Sequence, residues 1–143
     1  MDPRDDLIAK LLKPERQEPD REHDQLAHQV IGAAIEVHRQ LGPGLLEGVY
    51  EKAMCIEFEL RGIPFRRQSG VGITYKGRPV GKGKLDLLVG DRLIVELKAV
   101  ERLAPIHSAQ MISYLRMTNR MLGLLINFNV PVLKEGIKRV VLS

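Results

Sequence analysis

The sequence lacks several features that would each point to a particular class of protein. It has no Trp, only three Phe and three Tyr, and a single Cys in 143 residues. One cysteine, Cys55, excludes an internal disulfide, and the absence of a long apolar run excludes a membrane-spanning helix. The N-terminus is acidic from Asp2 onward and lacks the apolar stretch of a secretory signal. We therefore expect a cytoplasmic protein with no membrane partner.

The charge distribution divides the chain into a short acidic part and a longer basic part. Residues 1–24 contain eight Asp or Glu and five Lys or Arg, whereas the remainder contains 17 basic and 10 acidic residues. Three prolines interrupt any long helix in the first part. These features predict a mobile charged arm over residues 1–23 and one folded domain over residues 24–143.

The strongest local charge bias lies between residues 61 and 84, which hold seven basic residues and no acidic one. A patch of one sign attracts phosphate groups through electrostatic steering and counterion release. The alternative is a solvated strand face that only improves solubility. On the first interpretation, the residues that contact nucleic acid are Arg66, Arg67, Lys76, Arg78, Lys82 and Lys84.

The hydrophobic pattern predicts helices at the start of the domain and strands after them. A helix capped by Asp24 should end at Gly42, and a second should run from Leu45 to Gly62. The second helix has an apolar stripe at every third or fourth residue. Its members are Val49, Ala53, Ile56 and Leu60.

Residues 64–100 read as antiparallel strands, with turns at residues 76–78 and near Gly90. A crossover helix after Pro105 should make the next strand, an apolar run ending at Phe128, parallel to the one before the helix. The last residues read as a strand pair turning near Gly136. The predicted fold class is α/β, a mixed central sheet flanked by helices.

Three charged residues interrupt strands that otherwise read as buried. Glu96 and Lys98 share one face because strand residues alternate. Asp86 lies directly opposite Glu96 if a three-residue loop, Gly90–Arg92, joins the two strands. Two adjacent carboxylates repel unless a cation lies between them, and oxygen ligands suit Mg²⁺ or Mn²⁺. The alternative is a solvated salt bridge from Lys98 to either acid.

These residues, with Gly44-x-x-Glu47-x-x-Tyr50 before them, resemble the PD-(D/E)XK nuclease superfamily. The closer resemblance is to the small bacterial family named for its GxxExxY motif. It implies a restriction-endonuclease-like core in which Glu47, Asp86 and Glu96 bind the metal and Lys98 is the catalytic lysine.

The resemblance also extends to the helix after the catalytic strand, where Gln110 and Tyr114 match a Q-x-x-x-Y pattern and would lie near the site. It implies a Mg²⁺-dependent phosphodiester hydrolase acting on nucleic acid, with DNA favoured. The alternative is a nucleic-acid-binding or protein-interaction domain that keeps the fold without turnover. Glu47 could also be only a first-turn helix acid, and Gln110 with Tyr114 only a surface pair. The sequence leaves the oligomeric state open, a homodimer included.

Overall fold

The computed structural model describes residues 20–142, which form three α-helices, five strands and one 3₁₀ turn. In chain order the elements are α1 (Arg21–Leu41), α2 (Glu47–Arg61), β1 (Phe65–Tyr75), β2 (Arg78–Val89), β3 (Leu93–Lys98), α3 (Pro105–Thr118), β4 (Leu122–Asn127), the 3₁₀ turn (Leu133–Gly136) and β5 (Ile137–Val141).

The five strands form one mixed sheet in the order β1-β2-β3-β4-β5. Every neighbouring pair is antiparallel except β3 and β4, which are parallel because α3 crosses over between them. All six residues of β4 are buried, as expected for a central strand covered on both faces. The predicted α/β class with a mixed central sheet is confirmed. None of the helices within residues 20–142 combines the length and the apolar character needed to cross a bilayer.

The helices cover the two faces of the sheet. On one face, α1 and α2 enclose the larger core, which includes Tyr50 and Val95. On the other face, α3 encloses a smaller core, in which Leu115 packs with Ile94 and Leu85. The sheet is therefore the middle layer, as in other α/β folds.

Helix α1 begins earlier than predicted. Its N-cap is Asp20, whose carboxylate accepts a hydrogen bond from the His23 backbone N–H at 3.0 Å. The predicted start at Asp24 is wrong because Asp20, directly after Pro19, already provides the cap and no helix breaker follows it. Residues 1–19 of the predicted arm lie outside the described residues.

The core-facing side of α2 also differs from the predicted apolar stripe. Val49, Ile56 and Leu60 are 42%, 60% and 77% exposed, whereas Tyr50 and Phe58 are fully buried. The two sets lie on opposite sides of the helix. The bulky aromatic side chains occupy the core face because they bury more apolar surface there.

The segment after β4 contains one strand rather than the predicted strand pair. The residues before Ile137 form the 3₁₀ turn, and only β5 joins the sheet, antiparallel to β4. Gly136 explains the turn, because a Cβ at this position would overlap the backbone carbonyl oxygen of Asn127. This close approach of two backbone segments leaves no space for a strand with side chains.

The connection between β2 and β3 has the predicted three residues, Gly90–Arg92, with left-handed φ at Gly90 and Asp91 (59° and 57°). The paired residues run from Val89 with Leu93 to Leu87 with Val95. One further step in the same register places Asp86 across from Glu96. The predicted register is confirmed, and it determines the geometry of the site.

Candidate active site

A tight turn positions the first helical acid, Glu47. Gly42 and Gly44 have φ values of 71° and 97°, which favour glycine. The Tyr50 hydroxyl donates to the Gly42 carbonyl oxygen at 2.6 Å and accepts from the Leu45 N–H at 3.1 Å. The Tyr50 ring stacks on Phe128, with centroids 4.5 Å apart. The turn is thereby fixed at both ends, and Glu47 occupies the first residue of α2, where the helix dipole favours an acid.

The two strand acids lie where β2 and β3 stop pairing. Beyond Leu87 and Val95 the ladder is continued by side chains. The Asp86 N–H donates to the Glu96 carboxylate at 2.7 Å, and the Leu97 N–H donates to the Asp86 carboxylate at 2.9 Å. Each carboxylate replaces a backbone acceptor of the neighbouring strand. Both acids are therefore held by the sheet itself, and Glu96 is only 5% exposed.

The acids and Lys98 share one electrostatic environment. Burial, followed by the Asp86 charge, raises the pKa of Glu96 to about 8. Burial is also the largest cause of the raised pKa of Asp86 and of Glu47. Lys98 acts in the opposite direction on the pKa of all three acids. The structure thus places Glu47, Asp86, Glu96 and Lys98, from α2, β2 and β3, within electrostatic range of one another.

The donor chemistry of this group fits a hard divalent cation, because every candidate ligand is a carboxylate oxygen. Within residues 20–142, however, no three His, Cys, Asp or Glu side chains stand close enough together to hold a metal ion. Asp86 and Glu96 each direct one oxygen to a backbone N–H. Within the described residues the other oxygen of each carboxylate accepts no backbone hydrogen bond. The acids therefore fit a cation in chemistry but are not gathered around one.

The alternative interpretation of these residues, a salt bridge between Lys98 and a strand acid, is not what the structure has. Across the part of the chain that the structure describes, Lys98 lies within 4 Å of no carboxylate. Its ammonium group is close enough to influence the acids and remains available for another partner.

A fourth acid, Glu51, was missed by the sequence reasoning. It is 7% exposed, and its carboxylate accepts from Arg67 Nε at 2.5 Å and from Gln68 Nε2 at 2.8 Å. Gln68 has a φ of 51° and falls between two regular pairs of the β1–β2 ladder. Its side chain also lowers the pKa of Asp86 through a hydrogen bond. The spacing in the sequence could have indicated Glu51 as a site residue, because it follows Glu47 by four residues and lies on the same helix face.

The six predicted nucleic-acid contacts fall into two groups. Arg66 pairs with Asp91 at 2.7 Å, and Arg67 pairs with the buried Glu51. The other four are exposed on β2 and on the turn before it, and none forms an ion pair with any residue between 20 and 142. These four are Lys76, Arg78, Lys82 and Lys84.

Gln110 and Tyr114 lie on α3, on the opposite face of the sheet from α2. Gln110 Nε2 donates to the Tyr114 hydroxyl at 3.5 Å. The Tyr114 ring lies against Gly83, where an added Cβ would come within 2.9 Å of the ring. Neither side chain hydrogen-bonds to Asp86 or Glu96 in the described range. Tyr114 thus contacts β2 three residues before Asp86.

A mixed sheet between helices, with two acids where its strands separate and a lysine beside them, defines an α/β protein of the restriction-endonuclease-like class. A family model described as the PD-(D/E)XK nuclease superfamily matches residues 24–140. The chain belongs to this superfamily, whose members are typically nucleases that use divalent metal ions. No curated protein and no solved structure matches the chain.

Proposed function

We propose that this protein is a metal-dependent phosphodiester hydrolase that cleaves DNA. The observation that carries the proposal is the position of Asp86 and Glu96, which the sheet holds where its strands separate, with Glu47 and Lys98 beside them. Membership of a nuclease superfamily supports the same activity.

In this proposal Glu47, Asp86 and Glu96 hold Mg²⁺ or Mn²⁺. The bound ion would supply positive charge to the scissile phosphate and to the oxygen that leaves. Lys98 orients the attacking water and stabilises the charge that develops on the phosphoryl oxygens. Water adds to phosphorus and gives up a proton to the solvent, the P–O bond on the opposite side breaks, and the leaving oxygen takes up a proton.

Three further side chains support these residues without touching the reacting atoms. Glu51 positions Gln68, whose amide contacts Asp86. Gln110 and Tyr114 brace β2 from the other face, because Tyr114 packs against Gly83. We assign Glu51, Gln110 and Tyr114 as positioning residues.

We further propose that the protein is of the GxxExxY type within the superfamily. The positions of the motif residues support this assignment. Gly44 has a left-handed φ in the turn, the Tyr50 hydroxyl forms hydrogen bonds to both ends of the turn, and Glu47 begins the helix. In this proposal the folded domain, whose first helix is capped by Asp20, is the single catalytic domain, and the chain acts in the cytoplasm.

Cleavage assays with supercoiled plasmid, single-stranded DNA and RNA, in Mg²⁺ or Mn²⁺, test the activity. Lys98→Ala should lower plasmid cleavage by about 100-fold or more, because a charge-stabilising group is lost from the reaction. Lys138→Ala is the matched control, since Lys138 is exposed on β5 at the far edge of the sheet. Equal cleavage by wild type and Lys98→Ala would contradict the proposal.

Metal binding is tested separately by thermal unfolding. Mg²⁺ should raise the melting temperature of the wild type, because a ligand that binds only the folded state stabilises it. Asp86→Asn should abolish this increase. An equal increase in both proteins would show that the ion binds elsewhere.

The second candidate function is nucleic-acid binding without turnover. The observation that favours it is that the carboxylates in the described residues are not gathered into a metal-holding group. Binding with a steep salt dependence, no cleavage of any of the three substrates and no response to Mg²⁺ would establish this alternative.

A further inference from the structure

Strands β1 and β2 form a two-stranded ribbon that extends well beyond the rest of the sheet. Their pairing continues from Phe65 with Val89 to Tyr75 with Arg78, whereas β3 pairs only with Leu87–Val89. Residues 70–84 therefore have no third strand beside them. Every residue from 74 to 82 is exposed.

One face of this ribbon is covered by α3. Gly83 lies under the Tyr114 ring, and the buried Val71 and Leu85 belong to the core formed with Leu115. Because strand side chains alternate, Lys82 and Lys84 lie on the other face.

The residues opposite these lysines are both glycines. Lys82 pairs with Gly72 and Lys84 pairs with Gly70. We call these four residues the glycine–lysine face. A Cβ at either glycine would meet no atom within 4 Å, and neither glycine has a left-handed φ. The protein's own packing therefore gives no reason for glycine here, although glycine weakens a strand and is typical of positions where a ligand approaches the backbone closely.

We propose that the glycine–lysine face binds the phosphate backbone of duplex DNA, an inference that rests on the proposed function and specifies its substrate. The two lysines are complementary in charge to phosphate, and no acidic residue lies between residues 61 and 84 to compete for them. The bare glycines allow the DNA backbone to lie flat against the ribbon. The face has no aromatic ring for base stacking, which is how single strands are usually held.

The position of the face relative to the acids supports this assignment. Lys84 precedes Asp86 by two residues, about 7 Å along the strand. Helix α2 covers the same side of the sheet, and its Glu51 reaches Gln68 on β1. The glycine–lysine face therefore ends, along β2, beside Asp86, where the β1–β2 ladder is interrupted at Gln68 and Asp86. From Asp86 to the turn at Gly77 the ribbon spans about 30 Å, close to one turn of B-DNA.

The test measures DNA binding without metal, so that cleavage does not contribute. Wild type and variants are titrated into a labelled 20-base-pair duplex in EDTA, with fluorescence anisotropy as the readout, at several salt concentrations. The main variant is Gly70→Thr with Gly72→Thr. Its matched control is Gly81→Thr, which also adds a side chain in open space but on the face turned towards α3. Thermal unfolding of each variant checks the fold.

The double glycine variant should bind the duplex about tenfold more weakly with an equal or higher melting temperature, because Thr favours strands but holds the DNA backbone away from the lysines. Gly81→Thr should bind as the wild type does. Lys82→Gln with Lys84→Gln should make the slope of log affinity against log salt shallower by about 1.8, the value for two lost phosphate contacts. Lys138→Gln should leave that slope unchanged.

Wild-type affinity in the double glycine variant would overturn the assignment of the face. Tighter binding of a 20-nucleotide single strand than of the duplex would overturn the choice of substrate. A wild-type protein that cleaves nothing in Mg²⁺ but loses duplex binding in the glycine variant would support this inference while refuting the proposed hydrolase activity.

Discussion

Replacing Glu96 by Gln should stabilise the metal-free protein. Burial and the nearby Asp86 carboxylate raise the pKa of Glu96 from 4.5 to about 8 in the folded state. At pH 7 the carboxyl is therefore protonated when the protein is folded and ionised when it is unfolded. Because folding takes up a proton, the stability of the wild type falls as the pH rises from about 4.5 towards 8.

The size of the effect follows from the same two pKa values. Each pH unit above 4.5 costs about 1.4 kcal/mol, so the loss of stability is about 3 kcal/mol at pH 7 and levels off at about 5 kcal/mol above pH 8. Gln carries no charge in either state. Its amide oxygen can still accept the hydrogen bond from the Asp86 N–H. The variant should therefore be more stable than the wild type by about 3 kcal/mol at pH 7 and about equally stable at pH 4.

Urea unfolding in EDTA at pH 5, 6, 7 and 8 measures this difference. Glu59→Gln, at an exposed position on α2, is the control and should show no such pH dependence. Addition of Mg²⁺ should stabilise the wild type and leave the stability of Glu96→Gln unchanged. The same substitution therefore stabilises the metal-free protein and removes the proposed metal site. A difference between wild type and Glu96→Gln that stays constant from pH 5 to pH 8 would refute the reasoning about burial.

Four other substitutions test the supporting structure. Tyr50→Phe should lower the free energy of unfolding by about 1–3 kcal/mol in urea titrations, because the turn before α2 loses both hydrogen bonds to the hydroxyl. Glu51→Ala should cost about 2 kcal/mol and lower kcat for plasmid cleavage more than it changes KM, since both Arg67 and Gln68 lose their acceptor. Gly136→Ala should lower the free energy of unfolding by more than about 3 kcal/mol because the new Cβ overlaps backbone. Gly48→Ala meets no neighbouring atom in α2 and should raise the free energy of unfolding by about 0.5–1 kcal/mol. A more stable Gly136→Ala or a much less stable Gly48→Ala would contradict the packing.

The register of β2 and β3 could be predicted because only one loop length places Asp86 opposite Glu96. A two-residue turn would have placed Asp86 opposite Val95, on the wrong face. The three-residue loop with Gly90 restores the pairing, and the structure has it. The parallel pairing of β3 and β4 was equally predictable, since a helix between two strands of one sheet requires it.

The buried face of α2 could not be chosen from periodicity alone. The helix carries two apolar sets with similar spacing, one containing Val49 and Ile56, the other containing Tyr50 and Phe58. Both satisfy a helical period, so the pattern predicts the helix and not its rotation. The rotation of α2 is set by its packing against the sheet, where the Tyr50 ring stacks on Phe128.

The contacts around Glu51 depend on a backbone feature that the sequence does not reveal. Gln68 reaches the carboxylate because its φ of 51° interrupts the β1–β2 ladder, and Asn, Asp or Gly would be the usual signal for such a conformation. Arg67 was predicted as a phosphate ligand from charge alone. Its pairing with Glu51 depends on this local irregularity together with the placement of α2.

The charge balance of the proposed site favours a cation-binding centre over a structural ion-pair network. Four carboxylates lie near two cationic side chains: Glu47, Glu51, Asp86 and Glu96, with Arg67 and Lys98. When all are ionised, as they would be around a bound cation, the sum is −2. A structural network would hold matched pairs, yet among residues 20–142 only Glu51 and Arg67 form one within this group. Such an excess is costly to bury, and one divalent cation would neutralise it. A structural network would lose no stability in EDTA and gain none from Mg²⁺, so equal melting temperatures in the two conditions would remove the physical basis for a metal site.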